Sequence, residues 1–185
     1  MNFFEFSHFS RYSGIKERFC ANNTFEKASR KECIFTEANK SSTPGEKLLC
    51  EIYKNANMGE DSLCSLIGKV KDENLRRDIT YQLDTYAGYA NTAKSKLAEM
   101  NVKAKELSPF AKISSEISMA MSTMTDSSAP KLAELIIEGS TMGIVKLKKQ
   151  ITAAKRENVP EHIMNFANEV VTFEENSINK MKEYL

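Results

Sequence analysis

The sequence predicts an all-α fold: a four-helix bundle made of two similar helical hairpins joined by a long, partly helical crossover. Three observations predict it. From Lys47 onward, apolar residues recur at steps of three and four along four stretches, the spacing that lines one face of an α-helix. Two halves of that region match each other at a fixed offset. The stretch between the halves is too long for a hairpin turn.

The first predicted helix carries Leu49, Ile52, Ala56, Gly59, Leu63, Leu66 and Val70 in one stripe, and the second carries Leu75, Ile79, Gln82, Tyr86, Tyr89, Ala93, Leu97 and Met100. The segment between them, "KVKDEN", is short and polar, so the two form an antiparallel hairpin. A third helix is expected after Asp126-Ser127-Ser128, which supply capping side chains. Pro130 is tolerated in its first turn, and it runs to about Lys155. A fourth starts near Val159-Pro160-Glu161 and puts Ile163, Phe166, Val170, Phe173, Ser177, Met181 and Tyr184 on one face.

Residues 131–184 slide onto 47–100 without a gap, at an offset of 84, with 13 of 54 positions identical. Lys47, Ile52, Met58, Gly59 and Leu63 fall on Lys131, Ile136, Met142, Gly143 and Leu147, so the stripes stay in register. This pattern predicts an internal duplication of the hairpin. The crossover, residues 101–130, is helix-like from Phe110 to Met124. A crossover of that length lets the second and third helices run parallel, which is the ferritin-like arrangement.

The stretches "LLCEIYKNANMGEDSL", "QLDTYAGYA", "AELIIEGSTMGI" and "FEENSINKMKEYL" resemble a family of small ferritin-like proteins from anaerobic Firmicutes. The resemblance covers about Lys47 to Leu185. It implies a ferritin-like four-helix bundle over 47–185 and no particular activity.

Residues 1–46 differ in composition. They hold no Leu and no Val, yet carry Phe3, Phe4, Phe6, Phe9, Tyr12, Phe19, Phe25 and Phe35, half of the sixteen aromatics. Such a segment reads either as an aromatic docking arm or as a poorly ordered extension. The second is the expectation, because few aliphatic side chains are available to offset the entropy of ordering.

Several chemistries are excluded or disfavoured. The net charge of +1 creates no field favouring nucleic acid or an anionic membrane. No apolar run reaches the roughly 18 residues that a membrane span needs, and "MNFFEFSHFSRYSG" is not a convincing signal peptide, so a cytoplasmic location is expected. Cys50 and Cys64 fall about 21 Å apart along one helix, beyond disulfide reach. Cys20 and Cys33 could pair only if their segment folds. The chain has no CxxC, and neither His8 nor His162 stands at zinc-ligand spacing from a cysteine.

A carboxylate-bridged dimetal centre would need inward Glu residues and Glu-x-x-His motifs; the chain has no such motif. Glu134 and Glu138 precede Gly139, while Glu174 and Glu175 follow Phe173. Acidic residues flanking a stripe are expected to be solvated, so no metal ligands and no cofactor are assigned. Met119, Met121 and Met124, with Met58 and Met142, could suggest copper(I), but methionine is the common filler of irregular cores.

Two sets of residues remain as candidates. Gln82, Tyr86 and Tyr89 form a polar core or pocket, because a buried tyrosine hydroxyl needs a partner. Met58, Gly59, Gly139, Met142 and Gly143 are helix-packing positions. Glycine inside a helix costs about 1 kcal/mol relative to alanine, and close approach to the partner hairpin would explain accepting that cost at Gly59 and Gly143. The function expected is a metal-free structural or protein-interaction module, self-associating or binding a protein partner, without catalytic residues. The alternative is a divergent metal-binding or oxidoreductase protein using Glu138 and Glu174.

Overall fold

The computed structural model describes residues 42–102 and 126–185, and every regular element among them is helical. These elements are α1 (Pro44–Ile67), α2 (Glu73–Glu99), α3 (Ala129–Ala154) and α4 (Glu161–Met181), with a final 3-10 turn over Lys182–Tyr184. Residues 1–41 lie outside the description, as do the predicted crossover helix and its methionines.

The helix ends follow from local chemistry. Thr43 caps α1 in a reciprocal box: its side chain accepts from the Glu46 amide, and the Glu46 carboxylate accepts from the Thr43 amide. Pro44 fits the first turn, where its missing N–H costs nothing. The expected boundary at residue 46 is therefore corrected, since Pro44–Glu46 form the first turn of the bundle. Asp72 caps α2 by accepting from the Leu75 amide at 2.8 Å. No side chain caps α3; Asp126 accepts instead from the Ser128 amide at 2.8 Å, outside the helix. Asn101 and Asn158 take left-handed backbone angles just past α2 and α3, a conformation asparagine tolerates better than most residues. The side chain of Arg76 donates to the Val70 carbonyl and so pins the α1–α2 loop.

The stripes converge on two apolar clusters. One holds Leu63, Leu66, Leu75, Ile79, Leu132, Ile136 and Met181; the other holds Leu49, Ile52, Ala93, Leu97, Leu147, Ile151, Ile163 and Phe166. The end of α1 thus meets the starts of α2 and α3 and the end of α4. It follows that α1 runs antiparallel to α2 and α3, and that α2 and α3 are parallel. Val102 and Asp126 therefore stand at opposite ends of a bundle about 40 Å long. α1 packs chiefly on α2 and α3 chiefly on α4, while α1 joins the two hairpins mainly through α3. Among the described residues, no helix is long and apolar enough to cross a membrane. Cys50 and Cys64 are half-buried and are not joined in a disulfide among the described residues.

Candidate functional site

Between the two apolar clusters lies a polar layer to which all four helices contribute. At its centre is Glu174 of α4, only 1% exposed. Asn55 Nδ2 of α1 donates to Glu174 Oε1 at 2.7 Å, and the Tyr86 hydroxyl of α2 donates to the same oxygen at 3.3 Å. Ser140 of α3 is buried and lies against the Tyr86 hydroxyl. Gln82, one turn before Tyr86, is buried on the same face of α2. Two oxygens of this layer, Gln82 Oε1 and Glu174 Oε2, have no hydrogen-bond partner among the described residues.

Burial pushes the Glu174 carboxyl up to about 7, against the opposing pull of the Asn55 and Tyr86 hydrogen bonds. Burial also holds the Tyr86 phenol far above its ordinary value, and the neighbouring Glu174 adds to that. Tyr86 therefore remains a donor throughout the neutral range. Tyr89 is pushed up to about 12 by partial burial and then by Glu169.

Glycine makes room for these groups. A Cβ on Gly59 would lie 2.6–2.8 Å from three Tyr86 ring atoms. One on Gly143 would lie 2.6 Å from Asn55 Oδ1 and 3.0 and 3.2 Å from the two Glu174 oxygens. Edge-to-face contacts hold the aromatic side of the layer, with Tyr86 5.1 Å and Tyr89 5.5 Å from Phe173 between ring centroids. A crevice of about 10 Å³ reaches the layer past Asn55 and Gly143, between Met58 and Leu147, with Glu51, Lys54 and Lys146 at its walls. A wider cleft of about 440 Å³ at the end of the bundle, near Lys71, Asp126 and Ser128, contains none of the layer's residues.

The predicted positions are placed as follows. Gln82 and Tyr86 are in the layer, while Tyr89 is half-buried beside it. Gly143 packs against Asn55 of the other hairpin, as well as against Glu174. Gly59 does not face the partner hairpin as expected; it faces Tyr86 of its own. Met58 is half-buried at the crevice. Two packing assignments are corrected: Gly139 is exposed, with nothing within 4 Å of a Cβ built on it, and Met142 is 53% exposed. The turn of α3 that faces α1 is centred on Gly143, and Gly139 lies off that face.

The carboxylates are corrected too. Glu174 is buried, although flanking acidic residues were expected in solvent, and Glu138 is on the exposed face of α3. The two do not share a site. Among the described residues, no group of three or more His, Cys, Asp or Glu side chains is arranged to hold a metal ion. Asn55 and Ser140 were not anticipated. A signal did exist for Glu174, which continues the row Ala167, Val171 and Ile178 beside the predicted stripe of α4. No family model, curated protein or solved structure matches the chain.

Proposed function

We propose that the chain is a ferritin-like helical bundle that serves as a structural or protein-interaction module and holds no metal at its centre. The observation that carries this reading is the composition of the central layer. Where a dimetal centre requires several inward carboxylates and imidazoles, this bundle places one carboxyl, Glu174, among the neutral side chains Asn55, Gln82, Tyr86 and Ser140. Asn55 and Tyr86 both donate to Oε1 of that carboxyl, and Glu138, on the exposed face of α3, does not complete a carboxylate pair with it. A buried polar layer of this kind is suited to fixing which helices pair and in what register. On the outer surface, Met142 and Val145 are three residues apart on α3 and both exposed, so they offer adjacent apolar contacts for a second copy or another protein.

The test is elemental analysis of protein purified from its native host, together with thermal unfolding in the presence of iron(II), manganese(II) or zinc(II). The expected result is no stoichiometric metal and an unchanged melting temperature, with a protein partner or a homo-oligomer seen by light scattering. A metal that binds the folded state alone must raise the melting temperature. Stoichiometric metal with such a rise would overturn this reading in favour of a divergent metal-binding or oxidoreductase protein.

A further inference from the structure

The two unpartnered buried oxygens of the layer are complementary in a way that its other groups are not. Gln82 Oε1 is an acceptor, and so is Glu174 Oε2 when the carboxyl is ionised. Two buried acceptors without donors, one of them charged, are a costly combination. A proton on Glu174 removes the charge and converts one of the two acceptors into a donor. Tyr86, which touches Glu174 through Oε1, is one turn from Gln82 on the same buried face of α2.

The geometry points to a proton-binding site at the centre of the bundle. Glu174 holds a proton in the native state and directs its O–H from Oε2 toward the Gln82 amide oxygen. Losing that proton leaves a buried charge with an unpartnered Oε2. This loosens the packing of α1 and α4 around Asn55 and Glu174, even though the Asn55 hydrogen bond itself favours the ionised form.

Among the described residues, no counter-charge acts on the carboxyl. From α1 it meets the neutral Asn55, while Glu51 and Lys54 pair with each other at 3.1 Å along the crevice. α2 presents Tyr86 and Tyr89, both with raised phenol values. α3 presents Ser140, with Lys146 along the crevice and Lys148 paired to Glu175 of α4 at 2.6 Å. What acts on Glu174 is burial, opposed by Asn55 and Tyr86. As pH rises through neutrality, the ionised carboxylate keeps two donors on Oε1 and gains none on Oε2. Hydration through the crevice beside Gly143 is then the route to relief. This inference stands apart from the interaction-module reading, since a proton site is compatible with any partner.

The experiment follows the carboxyl carbons of all glutamates by NMR in the full chain between pH 4 and 9, with Glu174→Gln assigning the signal. One glutamate should titrate near pH 7, and its signal should be missing in the variant. A Glu174 that titrates with the exposed glutamates overturns the proposal. Gln82→Leu removes the acceptor, so proton affinity at Glu174 should fall about tenfold. A rise would mean that the Gln82 amide group donates to an ionised carboxylate, and either a rise or no change overturns the assigned partner. If Gln82→Leu does not fold, amide exchange in the native chain decides the matter. Protection factors around Asn55 and Glu174 should drop above pH 7 in the native chain and stay level in Glu174→Gln. Level protection in both overturns the loosening.

Discussion

Gly59 and Gly143 stand 84 residues apart at matching points of two hairpins, yet they admit opposite kinds of neighbour. Gly59 opens space for an aromatic ring, that of Tyr86. Gly143 opens space for oxygen atoms, those of Asn55 and Glu174. At the same offset, Tyr86 corresponds to Val170, and Glu174 to Ala90; all four are buried. Each hairpin therefore inserts its large polar side chain at a position where the other carries a small or aliphatic one. The two insertions meet at the centre, where the Tyr86 hydroxyl reaches Glu174. The same backbone clearance can thus serve packing on one side and polar chemistry on the other, according to which facing residue grows.

If the Gly143 side is an ionisable site and the Gly59 side a packing site, the two should respond to different perturbations. The largest expected effect is that of pH. The carboxyl of Glu174 is raised from 4.5 to about 7 on folding, so the folded state binds the proton more tightly. Its stabilisation is complete below about pH 4.5 and is lost as pH climbs through about 7. The slope is about 1.4 kcal/mol per pH unit, for a total of roughly 3 kcal/mol. Urea unfolding at a series of pH values should show this decline in the native chain but not in Glu174→Gln; equal slopes would remove Glu174 from the account.

Gly59→Ala comes next, at about 2 kcal/mol of destabilisation. Overpacking a buried ring outweighs the gain in helix propensity of about 1 kcal/mol. The same change made in a Tyr86→Leu background should lose most of its cost, a coupling that double-mutant unfolding measures directly. Independent effects would show that the ring is not what Gly59 accommodates.

Asn55→Ala should cost about 1–2 kcal/mol by removing the donor to Glu174 that bridges the hairpins. It should also raise the pH at which Glu174 titrates, because that donor favours the ionised form. A titration unchanged by Asn55→Ala would mean that the hydrogen bond carries no weight. The smallest effect separates the two glycines of Gly139-x-x-x-Gly143. Gly139→Ala should stabilise the protein by up to about 1 kcal/mol, since nothing obstructs its Cβ. Gly143→Ala should destabilise it, and thermal melts that shift in the same direction for both would contradict the difference in packing.

How much of this was legible beforehand depended on whether one helix sufficed to decide it. The stripes of α1 and α4 were readable because burial follows the helical period, and Gln82 and Tyr86 could be placed inside because they continue the stripe of Leu75, Ile79, Ala93 and Leu97 along α2. The start of α1 was also written locally, in the Thr43–Glu46 box, although it lies within a segment whose aromatic-rich composition pointed to an extension. Glu174 was harder. A lone carboxylate is assigned to water by its desolvation cost, and its burial depends on Asn55, 119 residues away, and Tyr86, 88 residues away.

By itself, then, the sequence determined the helical class and the extent of each helix to within a turn or so, since both rest on short-range periodicity and residue identity. Tertiary structure alone decided which of two glycines four residues apart is buried, which hairpin each packing glycine faces, and that one glutamate of several enters the core. Those outcomes depend on how helices rotate against one another, and that rotation is set by side chains far apart in the chain.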